Sequence, residues 1–336
     1  MKLIYAGSVK NLYLADDGEH LWFEFTDDYS VFDWGKMPDP IAGKGEILAR
    51  LGEWFFRLLE QEESWRKAGL ADDEGVKPWL PVRHHFEKQD GNRIMVKKVD
   101  VPELPPGQVG GQLVYDYSFE PTSRQLIPLE VIFRFGVPAG SSLLNRKDWY
   151  PFDIFEGAEF AQPLIEFSTK LESKDRMVSY QEAALILKGR TDLLAQVHGK
   201  TQAVARLLQT VFNERGLKLW DGKLEWGLID GEVTLVDSIG PDELRVGIGD
   251  ATFDKQFLRN FYLGSEWEAA LSKGKALARD RGEDDWKSIV ENELGSQPGN
   301  LAAPYRAAAE ALYQDFYAIV VEGQNPTRFT DSLKKL

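Results

Sequence analysis

Leu219-Trp220-Asp221-Gly222-Lys223-Leu224-Glu225-Trp226-Gly227, followed by Asp230-Gly231 and then Val236-Asp237, decides how the rest of this chain reads. Apolar and polar residues alternate up to an Asp-Gly pair, the pattern of a β-hairpin. A period of two puts Asp221, Lys223 and Glu225 on one face of the first strand. Three aligned ionisable side chains suit a wet, charged site better than a core, although an exposed hairpin with solvated charges fits the pattern equally well. Glu225 and Asp237 could hold a hard cation such as Mg²⁺ between carboxylate oxygens and phosphates. In a two-residue hairpin Glu225 would face Val236, so convergence on Asp237 is expected to need a three-residue loop with Gly231 left-handed.

Bulk properties narrow the field. The chain has 336 residues, 43% apolar and 28% charged, the balance of a globular protein able to bury a full core. No run reaches the length of a membrane span, and Met1 to Gly7 lacks the apolar core of a signal peptide. Cysteine is absent, which excludes disulfides and thiolate sites and fits a reducing cytosol. A net charge of −14 argues against a nucleic-acid partner. An anionic small substrate remains compatible, because local Lys and Arg can set the field in a cleft. A soluble, cytoplasmic protein is expected, with a homo-oligomer left open.

Outward from the hairpin, short β-rich segments cover Lys2 to Tyr5, Asn11 to Ala15, His20 to Thr26, Arg93 to Val99 and Leu129 to Phe135. Helices are expected from Lys44 to Lys67, with Leu48, Leu51, Trp54, Phe55, Leu58 and Leu59 on one stripe, and from Thr201 to Arg215. The tail reads as helical from Gly264 to Arg281 and from Pro304 to Val321. Two insertions, Ala68 to Gly91 and Pro102 to Pro121 with Gly110-Gly111, read as loops. His84 and His85 are adjacent, poor spacing for one metal, and are taken as loop residues. Strands in runs with flanking helices argue for an α+β fold.

Several clusters suit anions. The small-residue turn at Gly7-Ser8 could bring backbone N–H groups and Lys10 onto phosphates, although an ordinary hairpin turn explains it better. Lys97 and Lys98 point to opposite faces of their strand, so one could enter a cleft. Arg134 ends an apolar strand before Ala139-Gly140-Ser141-Ser142, which could cradle a phosphate at a helix N-terminus or simply cap the helix.

In order, these pieces resemble the SAICAR synthetase family, the phosphoribosylaminoimidazole-succinocarboxamide synthases of purine biosynthesis. The resemblance rests on Tyr5-Ala6-Gly7-Ser8-Val9-Lys10, Phe25-Thr26-Asp27-Asp28-Tyr29, Gly43-Lys44-Gly45 and Val96-Lys97-Lys98. It continues through Glu130-Val131-Ile132-Phe133-Arg134, Ala139-Gly140-Ser141 with Arg146, Phe167-Ser168-Thr169-Lys170 and Asp175. Asp221 to Gly227, Asp237, Pro241-Asp242, Arg245, Asp254-Lys255 and Arg259 complete it, from about residue 3 to 262.

The resemblance implies an ATP-grasp-like α+β fold: a β-rich ATP-binding lobe over 1–100, a larger ATP- and ribotide-binding domain over 101–262, and a helical extension over 263–336. It implies a ligase that joins L-aspartate to carboxyaminoimidazole ribotide (CAIR) with ATP and Mg²⁺, through an acyl phosphate. Carried over by position, Lys10, Ser8 and Lys97 would meet the nucleotide, and Glu225 and Asp237 would hold Mg²⁺. Arg134, Ser141 and Arg245 would bind the ribotide phosphate, with Asp242, Lys170 and Asp175 also on the substrates. Lys223 and Asp221 would line the junction where the chemistry occurs.

Three positions depart from the family pattern. Ser8 stands where a second Lys is common, Lys174 precedes Asp175 where a His is common, and Ser238 follows Asp237 where an acid is usual. Those departures leave two alternatives open: a paralogous carboxylate–amine ligase with another substrate, and a catalytically silent nucleotide-binding homologue.

Overall fold

The computed structural model describes residues 1–336 apart from Gly111, Asp250, Lys255 and Asp284, and the side chain of Gln112. Strands β1 (Lys2–Ala6), β2 (Lys10–Leu14) and β3 (His20–Phe25) open an antiparallel five-stranded sheet, in the order β1-β2-β3-β6-β5. The later two strands are β5 (Phe86–Asp90) and β6 (Arg93–Lys97). Leu21, Phe23 and Phe25 alternate inward with Ile94 and Val96. Helix α1 (Lys44–Glu60) covers that face with Leu48, Leu51, Phe55, Phe56 and Leu59. It begins hard against β3: a Cβ at Gly45 would lie 2.4 Å from the Phe25 carbonyl oxygen, so glycine is required and Lys44 is fixed there.

The long helix expected over 44–67 is broken at Gln61, whose extended backbone separates α1 from α2 (Glu62–Lys67). The first insertion is not a plain loop. It carries a 3₁₀ turn (Lys77–Trp79), β4 (Arg83–His84) and β5, because Val82, His85 and Phe86 have apolar surface to cover. His84 and His85 therefore pack on Phe56, with ring centroids 5.0 and 5.7 Å away. The second insertion folds in part as a separate hairpin, β7 (Pro106–Val109) and β8 (Gln112–Tyr115); Gly111 at its tip lies outside the described residues.

The second sheet is eight-stranded. It includes β9 (Gln125–Gly136), β10 (Glu159–Thr169), β11 (Met177–Val178), β12 (Lys218–Ile229) and β13 (Glu232–Val236). Its main path runs β11-β10-β9-β12-β13-β4, with β14 (Leu244–Ile248) also on β12 and β15 (Ala251–Phe253) on β14. Helix α3 (Tyr180–Ile186), opened by a capping box between Ser179 and Glu182, leads into α4 (Thr191–Glu214). Helix α4 starts ten residues before the expected Thr201 because Leu193, Leu194 and Val197 extend its buried stripe. It packs on one face of β9, β10 and β12, and there the indole of Trp226 donates to the Thr201 hydroxyl at 2.9 Å.

The deciding hairpin forms with a shorter loop than expected. Glu225 faces Val236 and Ile229 faces Glu232, leaving Asp230 and Gly231 as a two-residue loop with φ of 55° and 79°. Both residues being left-handed is the signature of a type I′ turn, whose twist matches the strands.

The tail comprises α5 (Gln256–Tyr262), α6 (Glu266–Arg281), the short α7 (Trp286–Ser288), α8 (Ala303–Val320) and α9 (Arg328–Leu333). Helix α8 crosses back onto α1 and also touches α5 and β15. One buried cluster of side chains thus runs from Leu21 to Phe329.

Candidate functional site

Strand register builds the site. Across β12 and β9, Glu225 faces Glu130 and Asp221 faces Arg134; across β9 and β10, Glu130 faces Ser168 and Ile132 faces Glu166. One face of three neighbouring strands therefore carries Glu130, Arg134, Glu166, Asp221, Lys223 and Glu225, while Val131, Phe133, Leu224 and Trp226 turn to the core.

At one end of this face lysines and carboxylates interleave. Lys223 Nζ donates to Glu130 at 2.6 Å and lies 3.9 Å from Glu225. Lys170 Nζ donates to Glu225 at 2.7 Å and to Glu130 at 3.5 Å. Lys10 reaches over from the first sheet to the Asp237 carboxylate. By alternation Asp237 would leave the face that Glu225 and Val236 share. Its φ of 65° breaks the strand and keeps its charge close enough to repel Glu225, which replaces the three-residue loop expected for this convergence.

The electrostatics follow from this crowding. Burial, then the charge of Asp237, raises Glu225 above the ordinary carboxylate range against the opposing pull of Lys170 and Lys223. Burial would also raise Asp237, but Lys10 outweighs it and holds that carboxyl low. Lys10, Lys170 and Lys223 are each lowered by burial and raised further by their carboxylate partners, so all three stay charged at neutral pH. Asp175 is raised by burial and by Glu130, which places it at the edge of the same cluster.

At the other end lies a guanidinium pocket. Arg134 donates from Nε to Glu166 at 2.6 Å, from Nη1 to Asp221 at 2.9 Å and from Nη2 to the Ser142 hydroxyl at 3.4 Å. Arg146 and Tyr150 donate to the other Glu166 oxygen at 2.9 and 2.7 Å. Arg245 sits 3.2 Å from Asp254 and 3.8 Å from Asp221. Arg245 Nη1 and Arg146 Nε are buried with no hydrogen-bond partner among the described residues, the condition in which an incoming anion gains most. Ser141 is buried and caps the following 3₁₀ helix (Ser142–Trp149), accepting from the Leu143 amide at 3.3 Å; the capping alternative holds for its hydroxyl.

Lys97 is not brought to the cluster. Register places it with His20, on the face of the first sheet away from Lys10, and its ammonium pairs with Glu87 at 3.3 Å. Ser8 tops the turn closed by the Gly7 amide and the Lys10 carbonyl. Asp242 lies on the β13–β14 connection, accepting a hydrogen bond from Tyr313 and forming an ion pair with Lys44. Lys255 lies outside the described residues.

Sequence reasoning left Glu130, Glu166, Arg146 and His85 out of the site. His85, whose ring burial drives down to a pKa of about 3, is neutral and donates from Nε2 to the Asp237 carbonyl at 2.8 Å. Alternation on β9 was the available signal for Glu130; nothing local marked Glu166 or His85.

Among the described residues no group of three His, Cys, Asp or Glu forms a ready metal cage. Mg²⁺ does not require one, since it is commonly held by one or two carboxylates with phosphates and water. Glu225, buried, and Asp237, half-buried and repelling it, fit that role.

A face that pairs lysines and carboxylates with a pocket of guanidiniums is the charge pattern of an anion-binding site. The chain belongs to the SAICAR synthetase family, whose profile matches residues 3–273. A phosphoribosylaminoimidazole-succinocarboxamide synthase of Thermoplasma acidophilum is 31% identical, over 94% of this chain and 98% of that one. A solved SAICAR synthetase in complex with ADP is 27% identical, with a TM-score of 0.56 over 88% of this chain and 99% of that chain. The SAICAR synthase of Saccharomyces cerevisiae, solved with SAICAR, shares the fold at 21% identity and a TM-score of 0.62, over 97% of this chain and 96% of its own. No helix among the described residues is long and apolar enough to cross a membrane.

Proposed function

We propose that this chain joins L-aspartate to the carboxylate of CAIR, driven by ATP, giving the succinocarboxamide ribotide, ADP and phosphate in purine biosynthesis. The observation that carries the reading is the continuity of the two anion sites: Asp221 and Lys223, two residues apart on β12, link the guanidinium pocket to the lysine–carboxylate cluster.

A carboxylate is a poor electrophile, so the ribotide carboxylate oxygen attacks the γ-phosphorus of ATP and ADP leaves. The aspartate amine then attacks the acyl carbon, and phosphate departs with that oxygen. Such transfers need positioning and charge neutralisation rather than a nucleophilic side chain. Lys10, Lys170 and Lys223 supply fixed positive charge where phosphate charge accumulates. Arg134, Arg146 and Arg245 hold the ribotide phosphate and so fix the distance of its carboxylate from Lys223. Mg²⁺ held by Glu225 and Asp237 would neutralise the nucleotide phosphates. His85 fixes the Asp237 backbone, and Lys170 and Asp175, at the edge of the cluster, would contact the substrates. Ser8, Lys174 and Ser238 remove none of these groups, so another carboxylate substrate or a silent binder is not favoured.

The test uses CAIR labelled with ¹⁸O in its carboxylate, together with ATP and aspartate. Release of phosphate carrying one ¹⁸O is expected; unlabelled phosphate would contradict the acyl-phosphate route.

A further inference from the structure

The loop between β13 and β14 carries functional residues at both ends, Asp237 at its start and Arg245 just past its close. Its middle is held by short-range bonds: the Glu243 and Leu244 amides both donate to the Gly240 carbonyl, at 3.0 and 2.9 Å. The Glu243 carbonyl in turn accepts from the Lys223 amide at 3.0 Å. Asp242 divides two hollows of about 150 and 140 Å³. One is lined by Lys10 and Asp237, the other by Asp221, Arg245 and Asp254.

Among the described residues, two groups from elsewhere in the chain hold Asp242. Its Oδ1 accepts from the Tyr313 hydroxyl at 2.9 Å, and its Oδ2 lies 3.2 Å from Lys44 Nζ. Lys44 is fully buried in the first turn of α1, where the helix dipole disfavours a cation, so its ammonium depends on this carboxylate and on the Tyr313 ring 5.4 Å away. Tyr313 belongs to α8, which lies beyond the residues 3–273 matched by the family profile. Helix α8 is itself pinned to the N-terminal lobe: Arg50 lies over the Tyr317 ring at 4.3 Å, and the Leu301 amide ahead of the helix donates to Asp39 at 3.2 Å. Burial and the Asp242 charge hold the Tyr313 phenol well above its ordinary pKa, so it remains a donor.

We propose that Tyr313 is a positioning residue of the active site, a bolt from the C-terminal helix that locks the Asp242–Lys44 pair and with it the loop between Asp237 and Arg245. The C-terminal segment is then a working part of the ribotide site rather than an appendage. The inference rests on the reading of that site given above.

A mutant cycle in the full-length protein tests it, with Tyr313→Phe, Asp242→Asn and the double variant compared for kcat, for KM toward CAIR and ATP, and for amide hydrogen exchange. Tyr313→Phe removes one hydrogen bond to a buried carboxylate. It should raise the CAIR KM roughly tenfold with kcat within about twofold, the split expected when the ribotide is held less tightly in ground and transition state alike. Added to Asp242→Asn it should change KM by less than about twofold, because without the carboxylate charge the Lys44 pair that the phenol locks is already lost. The Glu243 and Leu244 amides should exchange faster in Tyr313→Phe. Unchanged KM, effects that multiply, or unchanged exchange at those amides would overturn the role. A wild-type protein that does not turn over CAIR would refute the functional reading alone, and the exchange comparison would still decide the positioning role.

Discussion

Replacing Glu225 with Gln separates what this residue does for catalysis from what it does for the fold. Glu225 is buried beside Asp237, and its carboxyl is pushed up by burial and by that neighbour. A group whose folded pKa is raised stabilises the protein fully below its unfolded value and loses that contribution as pH rises through the folded value. Once ionised, therefore, Glu225 adds no stability from this source. A neutral amide relieves the repulsion with Asp237. Against this, Lys170 loses its 2.7 Å partner but keeps Glu130 at 3.5 Å. The two changes oppose each other, so stability should move by no more than about 1 kcal/mol at pH 7, less than the roughly 3–5 kcal/mol of a broken isolated pair. Catalysis should respond otherwise. With one of two carboxylates for Mg²⁺ gone, the rate should fall by roughly a hundredfold or more, about 2.7 kcal/mol in the barrier. Steady-state ADP release and a urea titration on the same preparation read the two quantities. A variant within about tenfold of wild-type turnover, or one that lost activity only in proportion to lost folding, would refute the assignment of Glu225 to the nucleotide site.

Other outcomes follow from the same geometry. Arg134→Lys cannot reproduce three donor contacts to Glu166, Asp221 and Ser142, and should raise the CAIR KM by roughly ten- to a hundredfold with the ATP KM little changed, measured by steady-state kinetics. Gly222→Ala would place a Cβ 2.5 Å from Phe133 Cζ and 2.6 Å from Leu244 Cδ2; a loss of roughly 1–3 kcal/mol is expected in denaturant titration. Burial lowers the pKa of His84, His85 and His198. Their contribution to stability is therefore complete above about pH 6.5, is lost progressively below it, and for His85 continues to fall toward about pH 3. Thermal unfolding across that range should show the decline, and the His85 ring should show no NMR titration between pH 5 and 8.

Much of this was legible in the sequence because the signals were local. Alternation from Leu219 to Gly227 gave the β12 face, and the stripe from Leu48 to Leu59 gave α1. What escaped was set by register and distance along the chain. Glu166 joins the site only because β10 lies beside β9, and a period of two shows that Lys97 and Lys98 face opposite ways but not which way is inward. The left-handed Asp237 lets a two-residue hairpin deliver a convergence for which alternation demanded a longer loop. Tyr313 lies 71 residues from the Asp242 it holds, and no local pattern connects them.

The most direct test is ADP release with Mg²⁺-ATP, CAIR and L-aspartate, omitting each component in turn. Sustained ADP release with succinocarboxamide product is expected only when all are present. Sustained ADP release without CAIR, or none with the full set despite measurable ATP binding, would contradict the proposed function.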